Sequence, residues 1–212
     1  ELQGVTGIVL SPGLDPAALP LRPVLAQAAR RGIPVLSDIA LALRHAQVPY
    51  LLVTGSNGKS TVTALTAELL SALGYRVGIG GNYGTPALDL LAEPADVLVL
   101  EISSFQLEAC RAEDIHARAA TVLNISADHL DRHGTIERYA DAKAAILAHQ
   151  QPEDVAVLVD DPPGSRRFAD RVRGRLLWTG TALDRDGVTL HDGTAVLRRN
   201  GVETPLFEVG AL

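Results

Sequence analysis

An apolar run, Tyr50-Leu51-Leu52-Val53, empties into Thr54-Gly55-Ser56-Asn57-Gly58-Lys59-Ser60-Thr61, and this junction constrains the fold more than any other stretch. A short apolar segment bounded by Gly reads as a buried strand. Val62 to Leu73, rich in Ala, Leu and Thr with Gly74 just beyond, reads as a helix ending at a Gly cap. Strand, loop and helix in that order make a cradle for phosphate. Gly55 and Gly58 let backbone N–H groups approach an anion, the helix N-terminus adds partial positive charge, Lys59 reaches terminal phosphates, and the Ser60 hydroxyl can ligate magnesium. The usual pattern sets its first Gly five residues before the Gly-Lys pair, where this chain has Val53, so the loop is a shortened variant. A Gly-rich turn with no ligand would explain the glycines, but not Gly-Lys-Ser-Thr at a helix start.

The chain has 212 residues, enough for one full domain and part of another, and 47% are hydrophobic, which allows a sizeable core. Aromatic residues make up only 4%, so that core must be built from Ala, Leu and Val, as in a parallel sheet covered by helices. A net charge of -6 argues against a nucleic-acid partner, whose phosphates call for clustered Lys and Arg. The lone Cys110 excludes an intramolecular disulfide, which fits a reducing cytoplasm. No stretch is long and apolar enough for membrane insertion. The chain contains no Met, and the expectation is a piece of a longer protein with domains beyond either end.

The pattern of strand, polar loop and helix repeats along the chain. Strands are expected at Gly7 to Leu10, Ile33 to Leu36, Arg76 to Ile79, Val97 to Leu100, Ala119 to Ile125, Val155 to Val159 and Leu176 to Trp178. Helices are expected at Pro23 to Arg31, from an Asp38 N-cap to about His45, briefly after Pro86, at Ile136 to His149 and at Ser165 to Val172. From Gly187 short alternating strands around Asp192-Gly193 and Asn200-Gly201 signal hairpins. The expected fold class is therefore α/β: a mostly parallel sheet flanked by helices and carrying the phosphate loop, with a small antiparallel extension near the C-terminus.

Ligands of open parallel sheets bind at the carboxyl ends of strands, and the polar clusters fall there: the phosphate loop, Gly81-Asn82, Glu101 and His129. Glu101 closes an apolar strand, where a magnesium ion beside the phosphates would satisfy it; a helix cap or a surface ion pair is the alternative. His129 stands open between a metal ligand and a loop histidine hydrogen-bonded to Asp128 and Asp131. Lys143 by itself looks like a helix-surface lysine. Cys110 and Trp178 read as packing residues.

Four ordered motifs, TGSNGKST from Thr54, GGNYGTP from Gly80, LEISSFQLE from Leu100 and LNISADHLDRHG from Leu123, resemble the Mur ligases of peptidoglycan synthesis. Within that family Ser103 to Glu108 is similar to the members that join D-glutamate to UDP-N-acetylmuramoyl-L-alanine. The resemblance implies that Ser56, Asn57, Gly58, Lys59, Ser60 and Thr61 hold ATP, that Ser60 and Glu101 serve one magnesium ion, and that His129 and a carbamylated Lys143 serve a second. Lys59, His129 and Lys143 are then the catalytic set, and Asn82, Ser103 and Gln106 stand near the UDP-sugar. Residues 1–37, including Ser11-Pro12-Gly13, match the end of the UDP-binding N-terminal domain. Residues 38–212 match an incomplete central ATP-binding domain, and the C-terminal domain is expected to be absent. The implied protein is a cytoplasmic monomer whose isolated fragment does not turn over. A nucleotide-binding fragment without ligase chemistry, another Mur-type ligase, or a phosphate-loop kinase are the alternatives.

Overall fold

A computed structural model describes residues 2–11, 13–15, 18–108, 110 and 115–211. Pro12, one of the residues matched to the uridine-binding end, lies outside the described residues. The chain opens with a parallel pair, β1 (Ile8–Leu10) and β2 (Val35–Ser37), joined by α1 (Leu21–Arg30). Pro23 sits in the first turn of α1, where a missing N–H costs nothing. The next helix, α2 (Asp38–His45), is capped by Ser37 and not by the expected Asp38: the Ser37 hydroxyl accepts from Ala40 N at 3.1 Å. A residue at the N-cap must be extended, as Ser37 is at φ -80° and ψ 163°, while Asp38 is already helical.

The main sheet then forms from β3 (Tyr50–Thr54), β4 (Val77–Gly81), β5 (Val97–Glu101), β6 (Ala119–Val122), β7 (Val155–Val159), β8 (Arg175–Gly180), β9 (Gly187–His191), β10 (Thr194–Arg199) and β11 (Val202–Glu208). Its order is β11-β10-β9-β8-β7-β6-β3-β5-β4. Strands β4 to β9 and β3 run parallel, and only β10 and β11 add antiparallel pairs. The fold class expected from sequence is the one observed, with one shift: the change of direction falls after β9, because β9 first pairs parallel with β8 (Trp178 opposite Gly187). Gly187 is needed there, since a Cβ would stand 2.0 Å from Trp178 O.

Between the strands lie α3 (Lys59–Ala72), α4 (Ser104–Glu108), α5 (Leu130–His133) and α6 (Ile136–Ala144). Strand β3 feeds α3 toward β4 on one side and β6 feeds α6 toward β7 on the other, so right-handed crossovers place these two helices on opposite faces. On the α6 face Leu52, Leu100, Val122 and Leu158 pack with Tyr139, Ile146, Leu147 and Phe168. Truncating a fully buried leucine such as Leu100 to alanine in such a core costs about 2–5 kcal/mol. The other face is covered by α3 over β3, β4 and β5, leaving a groove of about 450 Å³ beside Val62 and Thr66.

Most strand ends shift by a residue or two, as at β4, expected at Arg76 to Ile79 and found at Val77–Gly81, and three elements differ more. Strand β6 stops at Val122 instead of Ile125, because the next residues turn toward the phosphate loop. Helix α6 ends at Ala144 and passes into a 3-10 turn, Ala145–Leu147, where a helix to His149 was expected. The segment Arg166–Arg171 is likewise a 3-10 helix, tucking Phe168 into the core. Trp178 is buried as expected, and half-buried Cys110 packs on the core with Sγ 3.2 Å from Ser37 Oγ.

Candidate functional site: a phosphate loop at the strand switch

Strand order reverses between β3 and β6, and the phosphate loop leaves β3 at that point. Two glycines shape the loop. Gly55 has φ +153° and a Cβ there would press against Leu123 Cβ at 3.0 Å, while Gly58 has φ +81° at the N-cap of α3. The loop is strapped by the segment just after β6: Ser56 N donates to Asn124 O (3.0 Å), Asn57 N donates to Asn124 Oδ1 (2.9 Å), and Asn124 Nδ2 returns a bond to Asn57 O (3.0 Å). Lys59 Nζ folds over the loop and donates to Ser56 O at 2.9 Å. The Ser56 hydroxyl accepts from Ser126 N (3.0 Å) and meets Tyr139 Oη (3.1 Å).

Beside the loop, Glu101 ends β5 almost fully buried. Its Oε2 accepts from Ser60 Oγ at 2.6 Å and its Oε1 from Asn82 Nδ2 at 2.8 Å, with Asn82 N donating to Glu101 O at 2.8 Å. Glu101 is neither a helix cap nor a surface ion pair: its side chain is buried and meets the hydroxyl of Ser60 in the first turn of α3 and the amide of Asn82 just past β4. Two oxygen donors, a buried carboxylate and a hydroxyl, suit a hard cation such as magnesium. The described residues contain no group of three or more His, Cys, Asp or Glu placed to hold a metal. Magnesium usually keeps waters and phosphate oxygens among its ligands, so a carboxylate and a hydroxyl are a fitting protein share.

Lys143 is not the surface lysine its local sequence suggests: it is 2% exposed, with Nζ 3.4 Å from Thr54 Oγ1 and 4.6 Å above the Tyr139 ring. Burial, helped by repulsion from Lys59 and opposed by Asp128 and Glu101, pulls its pKa down to about 7. The amine is thus far easier to hold neutral than an exposed lysine. His129 caps α5 in the left-handed region (φ 51°), its N donating to Asp128 Oδ1 at 2.9 Å and its Nε2 lying 3.5 Å from Asp128 Oδ2. Its ring is half-exposed and rests on Phe105, with centroids 4.8 Å apart. Ser103 and Gln106 form a reciprocal cap on α4: Gln106 N donates to Ser103 Oγ (3.2 Å), and Ser103 N and Oγ donate to Gln106 Oε1 (3.1 and 3.2 Å).

The structure thus gathers Ser56, Lys59, Ser60, Asn82, Glu101 and Lys143 around the loop, with His129 linked to Tyr139 at the rim (ring centroids 6.3 Å). Residue-by-residue reading passed over Asn124, the strap, and Tyr139, the floor under Lys143. Tyr139 stands four residues before Lys143 on α6 with Ala140 and Ala144 also buried, a spacing that puts the lysine on the apolar stripe.

A strand, a Gly-Lys-Ser loop and a helix at the switch point of a parallel sheet define a phosphate-loop nucleotide-binding domain. Within that class the chain belongs to the Mur ligase family: the Mur ligase middle domain profile matches residues 53–208. The UDP-N-acetylmuramoylalanine–D-glutamate ligase of Syntrophus aciditrophicus is 40% identical over 182 residues, 85% of this chain and 39% of the relative. Among solved structures, a UDP-N-acetylmuramoyl-L-alanyl-D-glutamate–2,6-diaminopimelate ligase aligns with TM-score 0.63 and 22% identity over 93% of this chain and 52% of the other. The MurF ligase of Thermotoga maritima in complex with ADP aligns with TM-score 0.57 and 21% identity over 95% and 55%. The chain spans about two-fifths of the length of the curated relatives it matches. No helix among the described residues is long and apolar enough to cross a membrane.

Proposed function

We propose that the protein carrying this chain is an ATP-dependent ligase that adds D-glutamate to UDP-N-acetylmuramoyl-L-alanine in peptidoglycan synthesis. The observation that carries the reading is the chain of contacts from phosphate loop to strand end, Lys59–Ser56 and Ser60–Glu101–Asn82, in a sequence similar to relatives bearing that name. Residues 1–37 serve as the end of the UDP-binding domain and residues 38–212 as the central ATP-binding domain, working with further domains for the adenosine and the amino acid.

In this reading ATP lies in the loop of Ser56 to Thr61, with Lys59 turning from Ser56 O to the terminal phosphates. The substrate carboxylate attacks the γ-phosphorus, ADP leaves, and an acyl phosphate forms. The amine of D-glutamate attacks the acyl carbon, phosphate leaves, and the nitrogen loses its proton. Two anions must be brought together in the first step, so the site needs cations: Lys59 supplies one charge. Ser60 and Glu101 would hold one magnesium ion, and His129 with carbamylated Lys143 a second, whose chemistry is to neutralise developing phosphate charge. Carbamylation converts the Lys143 amine into an oxygen ligand. Asn82, Ser103 and Gln106 would stand near the UDP-sugar, with Gln106 buried behind Ser103.

The test is phosphate release by the purified gene product. It is expected to require ATP, UDP-N-acetylmuramoyl-L-alanine and D-glutamate together, and not L-glutamate or diaminopimelate. Release that ignores D-glutamate would overturn the reading in favour of a kinase or hydrolase.

A further inference from the structure

We infer that His133, which no motif reading assigns a role, is a positioning residue that aims α4 at the UDP-sugar; the inference rests on the ligase reading. Helix α4 spans five residues, too few to hold a helical conformation or a rotation by itself. One buried ring braces it. His133 Nδ1 lies 3.0 Å from Glu108 Oε1 and Nε2 lies 3.0 Å from Ser104 Oγ. A carboxylate only accepts, so Nδ1 carries the proton and Nε2 of the neutral ring accepts from the Ser104 hydroxyl. Burial pushes the ring pKa down, against the pull of Glu108.

Ser104 and Glu108 are four residues apart, so the ring spans one full turn on a single face of α4 and fixes its rotation. That rotation sets where the Ser103 and Gln106 cap points. The ring also stacks on Phe105 (5.7 Å, 12°) and leans on Tyr139 (5.1 Å). Phe105 touches His129, and Tyr139 meets Ser56 in the phosphate loop, so His133 ties the sugar side of the site to the nucleotide side. Arg132 reinforces the same carboxylate, its Nε 3.1 Å from Glu108 Oε2, while its guanidinium also donates to Leu14 O (3.2 Å) in the N-terminal segment.

His133→Phe keeps the ring stack and removes both polar links; His133→Asn restores an N–H near the Nδ1 position. Steady-state kinetics on the gene product separate a positioning role from a purely structural one. The expectation for His133→Phe is about a tenfold rise in KM for UDP-N-acetylmuramoyl-L-alanine with KM for ATP changed less than about twofold, and for His133→Asn recovery of most of that loss. Equal rises in both KM values that track the fall in melting temperature, or no change, would overturn the inference. If His133→Phe does not fold, Ser104→Ala decides: about a threefold rise in the UDP-sugar KM alone supports the role, and unaltered kinetics refute it. A wild-type protein lacking D-glutamate-dependent turnover would overturn the ligase reading and this inference with it, whereas an active wild type with unaffected variants overturns this inference only.

Discussion

Glu101 and Lys143 are equally buried, 2% exposed each, and both face the phosphate loop, yet the protein treats the two charges differently. Glu101 has Ser60 and Asn82 on its two oxygens at 2.6 and 2.8 Å. Lys143 has one long contact to Thr54, an aromatic face, and a neighbouring Lys59 that repels it. Glu101 sits at a strand end, where loops bring donors to it; Lys143 rises from mid-helix into a floor of Tyr139, Ala140 and Ala144. Donors offset the cost of burying a carboxylate, while a buried ammonium with no carboxylate in hydrogen-bonding contact is pushed toward its neutral form, even with Asp128 and Glu101 pulling the other way. The difference separates a carboxylate with a donor on each oxygen from an amine left with one long contact.

The largest effect that would sharpen this contrast is on stability against pH. In bicarbonate-free buffer the folded-state pKa of Lys143, about 7, lies below its ordinary 10.5. Between those values the unfolded chain binds a proton that the folded chain does not, so stability rises with pH across that window. The full penalty, on the order of 5 kcal/mol, stands below about pH 7. Denaturant titrations of Lys143→Met against wild type should show an advantage for the variant at pH 6 that shrinks by pH 9. A difference independent of pH would put Lys143 back among ordinary lysines.

Next in size is catalysis. Lys143→Ala in the gene product should lose activity by about 100-fold, and acetate in the buffer should restore part of it by occupying the vacated position. Full activity in bicarbonate-free buffer would break the comparison from the Lys143 side. Lys59→Ala comes third: ATP affinity by calorimetry should fall at least about tenfold, or about 1.4 kcal/mol, since a full charge leaves the phosphates. The same change removes the cation that repels Lys143, so the Lys143 pKa should move up. The smallest effect belongs to Asn82→Ala, which takes one donor from Glu101 and should cost about 1 kcal/mol by thermal unfolding. A loss several times larger would mean that Glu101 depends on Asn82 more than its bond to Ser60 implies.

Legibility followed the range of the interactions. The phosphate loop was readable because Gly55, Gly58, Lys59 and Ser60 act through their own backbone and a helix start, all within a few residues. The parallel sheet was readable from apolar runs such as Val97 to Leu100, but not the parallel pairing of β9, since Asp192-Gly193 speaks only for the hairpin after it. Helices α4 and α5 span five and four residues, too short for a period, although Ser103-x-x-Gln106 carried a capping signal. Lys143 was hidden by residue type: its burial shows only when the Tyr139, Ala140, Ala144 stripe is weighed above the usual exposure of lysine. Asn124 and His133 act across the fold on loop and helix partners that no local spacing announces.

The most direct test of the contrast is to ask what Lys143 carries. The gene product, equilibrated near neutral pH with 13C-bicarbonate, is examined by 13C NMR beside Lys143→Ala. The expected result is a carbamate resonance in the wild type that is missing from the variant and fades as the pH falls below about 7 and the amine takes up its proton. Identical spectra, with Lys143 titrating near the ordinary lysine value, would contradict it.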